Sequence, residues 1–129
     1  MKLGYTILYV DDVPAILARW EAAFGLERAF LHPDGGYAEL STGATTLSFA
    51  EREFGRSHFH DAQTRAMFDG RPALFEIGFV TADVEAAWRR ALSHGMAEVV
   101  PPTRKPWGQT VAWVRDPEGV LVELATPMG

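Results

Sequence analysis

The sequence contains two copies of one pattern, and this internal repeat constrains the fold more than any other feature. One copy is YTILYVDDVPAILARWEAAFGLE from Tyr5, and the other is EIGFVTADVEAAWRRALSHGMAE from Glu76. Each predicts a short apolar strand, then an amphipathic helix that begins at an Asp-Val pair and ends near a glycine. Asp12 and Asp83 align, and each is a predicted N-cap because a short carboxylate accepts the first unpaired helical N–H groups.

More strand follows each helix. GGYAELSTGATTLSFAE in the first copy and PWGQTVAWVRDPEGVLVEL in the second each predict two strands joined by a turn. The closing strands TLSFAE and LVELAT align, which places Ser48 opposite Glu123. The repeated unit is therefore a strand, a helix and two or three further strands, and this order predicts an α+β fold.

The repeat also predicts the domain organisation. We expect a single domain over residues 1–129, made of two modules at about 1–52 and 73–127. The segment between them, at about 53–72, is polar and irregular, with one short turn of helix, and is predicted to be a linker that covers the site. His58 and His60 lie in this linker and are predicted to be solvated loop histidines.

The composition excludes several classes of protein. A net charge of −5 without any basic run argues against nucleic acid as a partner. The absence of cysteine excludes a disulfide scaffold, a thiolate metal site and a cysteine nucleophile, and it fits a cytoplasmic protein. The N-terminal stretch is unlike a signal peptide, and no apolar run reaches the roughly 20 residues that span a bilayer, so we expect no membrane partner.

Glu123 is an unusual residue in an otherwise apolar strand. Alternation along the strand places Val122 and Leu124 on one side and Glu123 on the other. The carboxylate is either a strand-end group paired with an arginine or with backbone donors, or an acid that contacts a ligand.

The segment KPWGQT is the second candidate for binding. Pro106 and Gly108 shape the backbone around Trp107, and the Gln109 amide offers a donor and an acceptor. Trp107 is either packed on a sheet edge or partner chain, or it is a platform for a planar or cationic ligand. Side chains alternate between the two faces of its strand, so Trp113 shares a face with Val111 and Arg115 and lines either the site or an interface.

These residues resemble the vicinal oxygen chelate superfamily, which includes glyoxalase I, bleomycin-resistance proteins, extradiol dioxygenases, methylmalonyl-CoA epimerase and fosfomycin-resistance enzymes. The resemblance covers nearly the whole chain, and the closing hairpin PWGQTVAWVRDPEGVLVEL is its most specific part. It implies two βαβββ repeats whose curved mixed sheets form a cup. It also implies a homodimer, in which a cup often combines the first half of one chain with the second half of the other.

The resemblance also implies where a metal would bind. The superfamily's metal enzymes place ligands on the first and last strands of each unit, and these positions hold Tyr5, Ser48, Glu76 and Glu123. Only the two glutamates are good anionic donors, whereas a catalytic divalent metal usually takes three or four histidine or carboxylate ligands. We therefore expect no bound metal and no other cofactor.

The sequence therefore favours a metal-independent small-molecule binding protein that resembles bleomycin-resistance proteins and sequesters a drug or antibiotic. An acidic, aromatic-walled cup favours a cationic or aromatic ligand. The alternative is an enzyme of the superfamily, either a lyase or isomerase of glyoxalase type or a metal-free acid–base catalyst that uses Glu76 and Glu123. The predicted ligand-binding residues are Tyr5, Ser48, Glu76, Trp107, Gln109, Trp113 and Glu123.

Overall fold

Alternating apolar residues and capped helices give the first copy of the repeat a sheet with one helix packed against it. The computed structural model describes residues 1–70 and 75–128. These residues group into two compact units, one on each side of that gap, except that Ala22–Phe24 group with the second. The elements of the first copy are β1 (Tyr5–Val10), α1 (Val13–Phe24), β2 (Glu27–Leu31), β3 (Tyr37–Ser41) and β4 (Thr46–Glu51).

The first sheet is mixed. Its strand order is β1-β4-β3-β2, with β1 parallel to β4 and the other neighbours antiparallel. Asp12 caps the start of α1, where its carboxylate accepts from the Ala15 N–H at 3.0 Å, and Gly25 caps the end of the helix in a left-handed conformation with φ 66°. Both ends agree with the sequence prediction. The indole of Trp20 packs edge-on against the ring of Phe49 in β4, with ring centroids 5.2 Å apart.

The linker is more ordered than predicted. It contains two short helices, α2 (Arg52–Arg56) and α3 (Ala62–Met67), so the prediction of one short helical turn was wrong. Arg52 fastens the segment, because its Nη1 donates to the backbone oxygens of Phe68 and Gly70 at 3.0 and 3.1 Å. The end of the predicted linker, 71–72, and the start of the predicted second module, 73–74, lie outside the described residues.

The linker covers one end of the first sheet. A Cβ atom built on Gly55 would lie 2.4 Å from a ring atom of Phe68 and 2.5 Å from a ring atom of Tyr9. The Tyr9 and Phe68 rings meet edge-on at 4.8 Å. The absence of a side chain at Gly55 therefore lets α2 approach Tyr9 of β1 closely.

The second copy repeats the same order of elements. They are β5 (Glu76–Val80), α4 (Val84–Ser93), β6 (Ala97–Arg104), β7 (Thr110–Arg115) and β8 (Leu121–Ala125). The strand order is β5-β8-β7-β6, with β5 parallel to β8 and the other neighbours antiparallel. Asp83 caps α4 by accepting from the Ala86 N–H at 3.0 Å, as predicted.

The parallel strand pair has the same register in each sheet. Ile7 lies opposite Ser48 in the first sheet, and Gly78 lies opposite Glu123 in the second. This correspondence confirms the alignment of Ser48 with Glu123 and the α+β fold with a repeated βαβββ unit. Three strands follow each helix, because β2 and β6 add an edge strand that the sequence pattern left open. β6 contains Pro101 and Pro102, which are tolerated on an edge strand.

Each sheet has a buried face against its long helix and a second face, here called the far face. In the first unit, Phe49 and Leu40 are fully buried on the helix side. The far faces consist of the alternate residues of the same strands, and they include all four positions to which the resemblance assigned metal ligands. Within residues 1–70 and 75–128, no helix has the length and hydropathy needed to cross a membrane.

We expect Gly55→Ala to lower the free energy of unfolding by about 1–3 kcal/mol, because the added methyl group must displace the ring of Tyr9 or Phe68. At an unobstructed helix position the same substitution stabilises by roughly 0.5–1 kcal/mol, so the sign of the change is diagnostic. Urea denaturation followed by circular dichroism measures it. Gln63→Ala, at an exposed position of α3, is the control and should change stability by less than about 0.5 kcal/mol. A stabilised Gly55→Ala variant would contradict the close approach.

Candidate functional site

The far face of the second sheet brings three predicted residues together. Register places Trp113 of β7 opposite Glu123 of β8, and Glu123 opposite Gly78 of β5. The Trp113 indole Nε1–H donates to the Glu76 carboxylate at 2.5 Å. Because β8 lies between β5 and β7, the indole extends across the strand that carries Glu123. Glu76, Trp113 and Glu123 therefore form one acidic and aromatic surface.

Glu123 is the least compensated charge of this surface. It is half-buried, and within the described part of the chain its carboxylate has no hydrogen-bond donor and no ion-pair partner. Burial raises the pKa of Glu123, and the negative charge of Glu76 raises it further. The alternative role considered from sequence, a strand-end acid paired with an arginine or with backbone donors, therefore has no support among these residues.

A space adjoins Glu123 on the neighbouring strand. Gly78 pairs with Glu123 in register, and a Cβ atom built on Gly78 would have no heavy atom within 4 Å. Any larger residue at this position would project its side chain into that space. The glycine therefore leaves the carboxylate accessible from the β5 side.

A lysine lies over the aromatic part of the surface. The Lys105 ammonium is 5.7 Å from the centre of the Trp113 ring, within the range of a cation–π interaction. Among residues 1–70 and 75–128, no carboxylate lies within ion-pairing distance of Lys105. One cation of the protein therefore already uses the ring that a cationic ligand would contact.

Gln109 holds Trp107 instead of offering an unoccupied amide. Its Oε1 accepts from the Trp107 indole N–H at 2.8 Å, and its Nε2 donates to the backbone oxygen of Thr126 at 2.8 Å. Trp107 remains 64% exposed at the turn between β6 and β7. Gln109 is thus a positioning residue for Trp107, while Trp107 presents an indole ring to solvent.

The far face of the first sheet carries the other two predicted residues. Tyr5 is 65% exposed at the start of β1, whereas Ser48 of β4 is 0% exposed. The Tyr37 hydroxyl lies 3.1 Å from Ser48 Oγ and 3.0 Å from Glu39 Oε1. Sequence reasoning missed Tyr37 and Glu39, although Glu39 stands in an apolar strand in the same way as Glu123.

The residues at the metal positions of the superfamily do not fit a divalent transition metal. The Ser48 hydroxyl is buried and bonded to Tyr37, the Tyr5 phenol is a weak ligand at neutral pH, and Glu76 accepts from Trp113. The described residues contain no group of three or more histidines, cysteines, aspartates or glutamates placed to hold a metal. The His58 ring packs edge-on against Phe54 at 4.8 Å in the linker.

Comparison with known proteins gives a consistent family assignment. The family model for the Glyoxalase/Bleomycin resistance protein/Dioxygenase superfamily matches residues 2–124. The chain is similar to a glyoxalase/bleomycin resistance protein/dioxygenase family enzyme from Burkholderia phytofirmans PsJN, with a TM-score of 0.82 and 19% identity over 98% of both chains. No curated protein matches the sequence.

Two further solved structures share the fold. A glyoxalase-related enzyme from Fulvimarina pelagi aligns with a TM-score of 0.82 and 16% identity, over 98% of this chain and 88% of that one. TioX from Micromonospora sp. ML1 aligns with a TM-score of 0.74 and 22% identity, over 98% of both chains. At these identities the likeness shows the fold alone.

The raised pKa of Glu123 predicts a pH-dependent penalty on stability. The folded state holds the Glu123 proton more tightly than the unfolded state, so ionisation destabilises the fold as the pH rises through the raised pKa. We therefore expect Glu123→Gln to be more stable than the wild type at about pH 7, and this advantage to disappear at about pH 3, where both states are protonated.

Thermal unfolding at the two pH values, followed by circular dichroism, measures this difference. Glu98→Gln removes an exposed glutamate of the same sheet and is the matched control, which should give no such advantage at neutral pH. A Glu123→Gln variant that is less stable than the wild type near neutral pH would show that the carboxylate is compensated.

Proposed function

The chain belongs to the Glyoxalase/Bleomycin resistance protein/Dioxygenase superfamily, and from this premise we propose that it is a metal-independent binding protein for a small, flat organic cation. The observation that carries the proposal is the half-buried carboxylate of Glu123, which lies beside Glu76 and Trp113 and has no partner among the described residues. Sequestration of a drug or antibiotic with this chemistry needs only such a surface and no chemical step.

The electrostatics of the surface support a cationic ligand. Burial and the like charge of Glu76 both disfavour the ionised form of Glu123, and a ligand cation would relieve both effects. A hydrogen bond to a charged group contributes roughly 1.5–3 kcal/mol, which is larger than the contribution of a neutral hydrogen bond. The Trp113 ring adds a flat surface on which an aromatic or cationic group can stack.

Lys105 competes with a ligand cation for the Trp113 ring. Its ammonium occupies the region above Trp113 without a carboxylate partner in the described parts of the chain. A ligand cation that reaches the ring must displace this side chain, which has a long and flexible stem. Lys105 therefore acts against the binding of weakly bound cations such as single metal ions or ammonium.

The donor set supports metal independence. Neither sheet supplies the three or four histidine or carboxylate ligands that an open catalytic site needs. The binding of an organic cation uses the same carboxylates without a coordination shell. The proposal therefore assigns Glu76 and Glu123 to the ligand instead of to a metal.

A second candidate function is metal-free acid–base catalysis, and the raised pKa of Glu123 favours it. A carboxyl group with a raised pKa retains its proton at a higher pH than an ordinary glutamate, which suits a group that donates and accepts a proton. Glu76 would then hold the negative charge next to it. Incubation of a bound ligand with the protein, followed by mass spectrometry, separates the two functions, since only the enzyme changes the ligand.

We also propose a homodimer and a cytoplasmic location. β1 and β5 are edge strands of their sheets, and Tyr5 of β1 and Val80 of β5 are exposed large apolar residues on these edges. Exposed edge strands with apolar side chains are usually covered in stable proteins. The cysteine-free composition supports the cytoplasmic location.

We expect proflavine, a planar aminoacridine cation, to bind and to quench tryptophan fluorescence, and Glu123→Gln and Glu76→Gln each to weaken its binding. The loss of one partner from a desolvated charge pair typically costs about 2–5 kcal/mol, so the affinity should fall roughly thirtyfold or more for the half-buried Glu123. Glu76 is exposed, and an exposed ion pair contributes about 0.2–1 kcal/mol, so Glu76→Gln should weaken binding by no more than about fivefold. Lys105→Met should strengthen binding, because the competing ammonium is removed. Excess EDTA should leave the affinity unchanged.

Two controls make this experiment specific. Acridine has the same ring system without a positive charge near neutral pH, and it should bind the wild type more weakly than proflavine. Glu98→Gln lowers the net negative charge by the same amount as Glu123→Gln and should leave the affinity unchanged. Equal affinity of the wild type, Glu76→Gln and Glu123→Gln would refute the proposal, and binding lost in EDTA would refute metal independence.

We expect the purified protein to be a dimer, with a mass in solution of twice the 14.2 kDa of one chain. Burial of the apolar edge residues supplies the driving force. Light scattering coupled to gel filtration at micromolar concentration measures the mass. Val80→Lys should shift the population toward the monomer, and a monomeric wild type would overturn the proposed assembly.

A further inference from the structure

The far face of the first sheet carries a second group of polar side chains that no part of the proposed function uses. Glu39 of β3 lies directly opposite Ser48 of β4. In the second sheet the corresponding pair is Trp113 and Glu123, which occupy the same register. Each sheet therefore places one carboxylate at this pair of positions, on β3 in the first sheet and on β8 in the second.

A chain of hydrogen bonds orients the Glu39 carboxylate. The Tyr37 hydroxyl contacts both Glu39 Oε1 and Ser48 Oγ, but a phenol has only one proton to donate. An ionised carboxylate can only accept, so Tyr37 donates to Glu39 and the Ser48 hydroxyl donates to the phenol oxygen. Burial raises the pKa of Tyr37, which keeps the phenol protonated for this role.

The hydrogen-bond chain leaves most of the carboxylate's capacity unused. Glu39 is half-buried, and within residues 1–70 and 75–128 it has no lysine, arginine or histidine within ion-pairing distance and only one donor. A carboxylate offers about four acceptor positions. The hydrogen bonds from Ser48 to Tyr37 and from Tyr37 to Glu39 therefore fix the orientation of the Glu39 carboxylate. Its other oxygen, Oε2, has no partner among the described residues.

Aromatic rings lie beside this carboxylate. The Phe30 ring centre is 6.4 Å from that of Tyr37, and Phe30 is an exposed large apolar residue. Phe30 also lies opposite Glu39 in the pairing of β2 with β3. A fixed acid with aromatic neighbours is the arrangement that recognises an organic ammonium group.

We infer that Glu39, oriented by Tyr37 and Ser48, is a second binding subsite for a protonated primary or secondary amine with an aromatic substituent. The inference rests on the proposed function only for the ligand class, because this subsite lies on a different sheet from Glu123. Glu39 contacts the ligand, while Tyr37 and Ser48 are positioning residues.

Two-dimensional ¹⁵N–¹H NMR of the full chain, titrated with benzylammonium chloride, tests this subsite. We expect saturable shifts of the amides of Tyr37, Glu39 and Ser48, and much smaller shifts with the uncharged benzyl alcohol. Glu39→Gln keeps an acceptor for Tyr37 but removes the charge, so it should weaken these shifts about tenfold or more in apparent affinity. The amides of Gly78 and Trp113 should titrate as in the wild type.

The outcomes separate this subsite from the proposed function. If the first-sheet amides do not shift, or shift equally in the wild type and Glu39→Gln, the subsite is refuted, whatever the second sheet does. If only the second-sheet amides fail to shift, and proflavine binds the wild type, Glu76→Gln and Glu123→Gln with equal affinity, the proposed function is refuted and the subsite stands. Should Glu39→Gln lose its dispersed spectrum, Glu39→Asp replaces it: a shortened carboxylate that still binds with wild-type affinity would refute the oriented subsite.

The positioning role of the hydrogen-bond chain has its own readout. Ser48→Ala removes the donor to Tyr37 without touching the carboxylate, so it should reduce benzylammonium affinity severalfold at the first sheet. Ser48→Ala should leave the shifts caused by benzyl alcohol unchanged. A general loss of structure would instead change the response to both compounds. Unchanged benzylammonium affinity in Ser48→Ala would refute the positioning role of the hydrogen bonds from Ser48 to Tyr37 and from Tyr37 to Glu39.

Discussion

Two parallel strand pairings, β1 with β4 and β5 with β8, determine which side chains can meet on each sheet. Side chains alternate between faces, so a shift of one residue in either pairing would exchange the buried and far faces. Phe49 resists such a shift in the first sheet, because its ring is buried against Trp20. The same packing that stabilises the core therefore sends Ser48 to the far face.

Most of the fold could be predicted because it depends on local and repetitive signals. Asp12 and Asp83 mark helix starts by their capping chemistry, and the recurrence of one pattern fixes the order of elements. β2 and β6 were harder to predict, since edge strands lack the strict alternation that burial on one face imposes. The close packing of α2 on the first sheet brings Gly55 against Tyr9 and Phe68, residues that are far apart from it in sequence, so no local pattern could predict it.

The candidate site could be predicted only where the strand pattern is violated by a charge. Glu123 was found because a carboxylate interrupts an apolar strand, Glu76 because the resemblance assigns a ligand position to the first strand of the unit, and Trp113 because of the alternation along its strand. Glu39 gives the same signal but was missed, since its meaning depends on Tyr37 and Ser48 closing a hydrogen-bond chain. The engagement of Gln109 with Trp107 and Thr126 could not be read from composition, because one amide can serve either a ligand or the protein.

The tether of Trp107 has a consequence for conformational entropy. An exposed side chain usually loses rotamer freedom when something binds to it, at a cost of about 0.5–1.5 kcal/mol. The Trp107 indole is already held by Gln109, which is itself held by the backbone at Thr126. Folding has therefore restricted this ring in advance, and a molecule that stacks on it meets a surface whose ordering is largely complete.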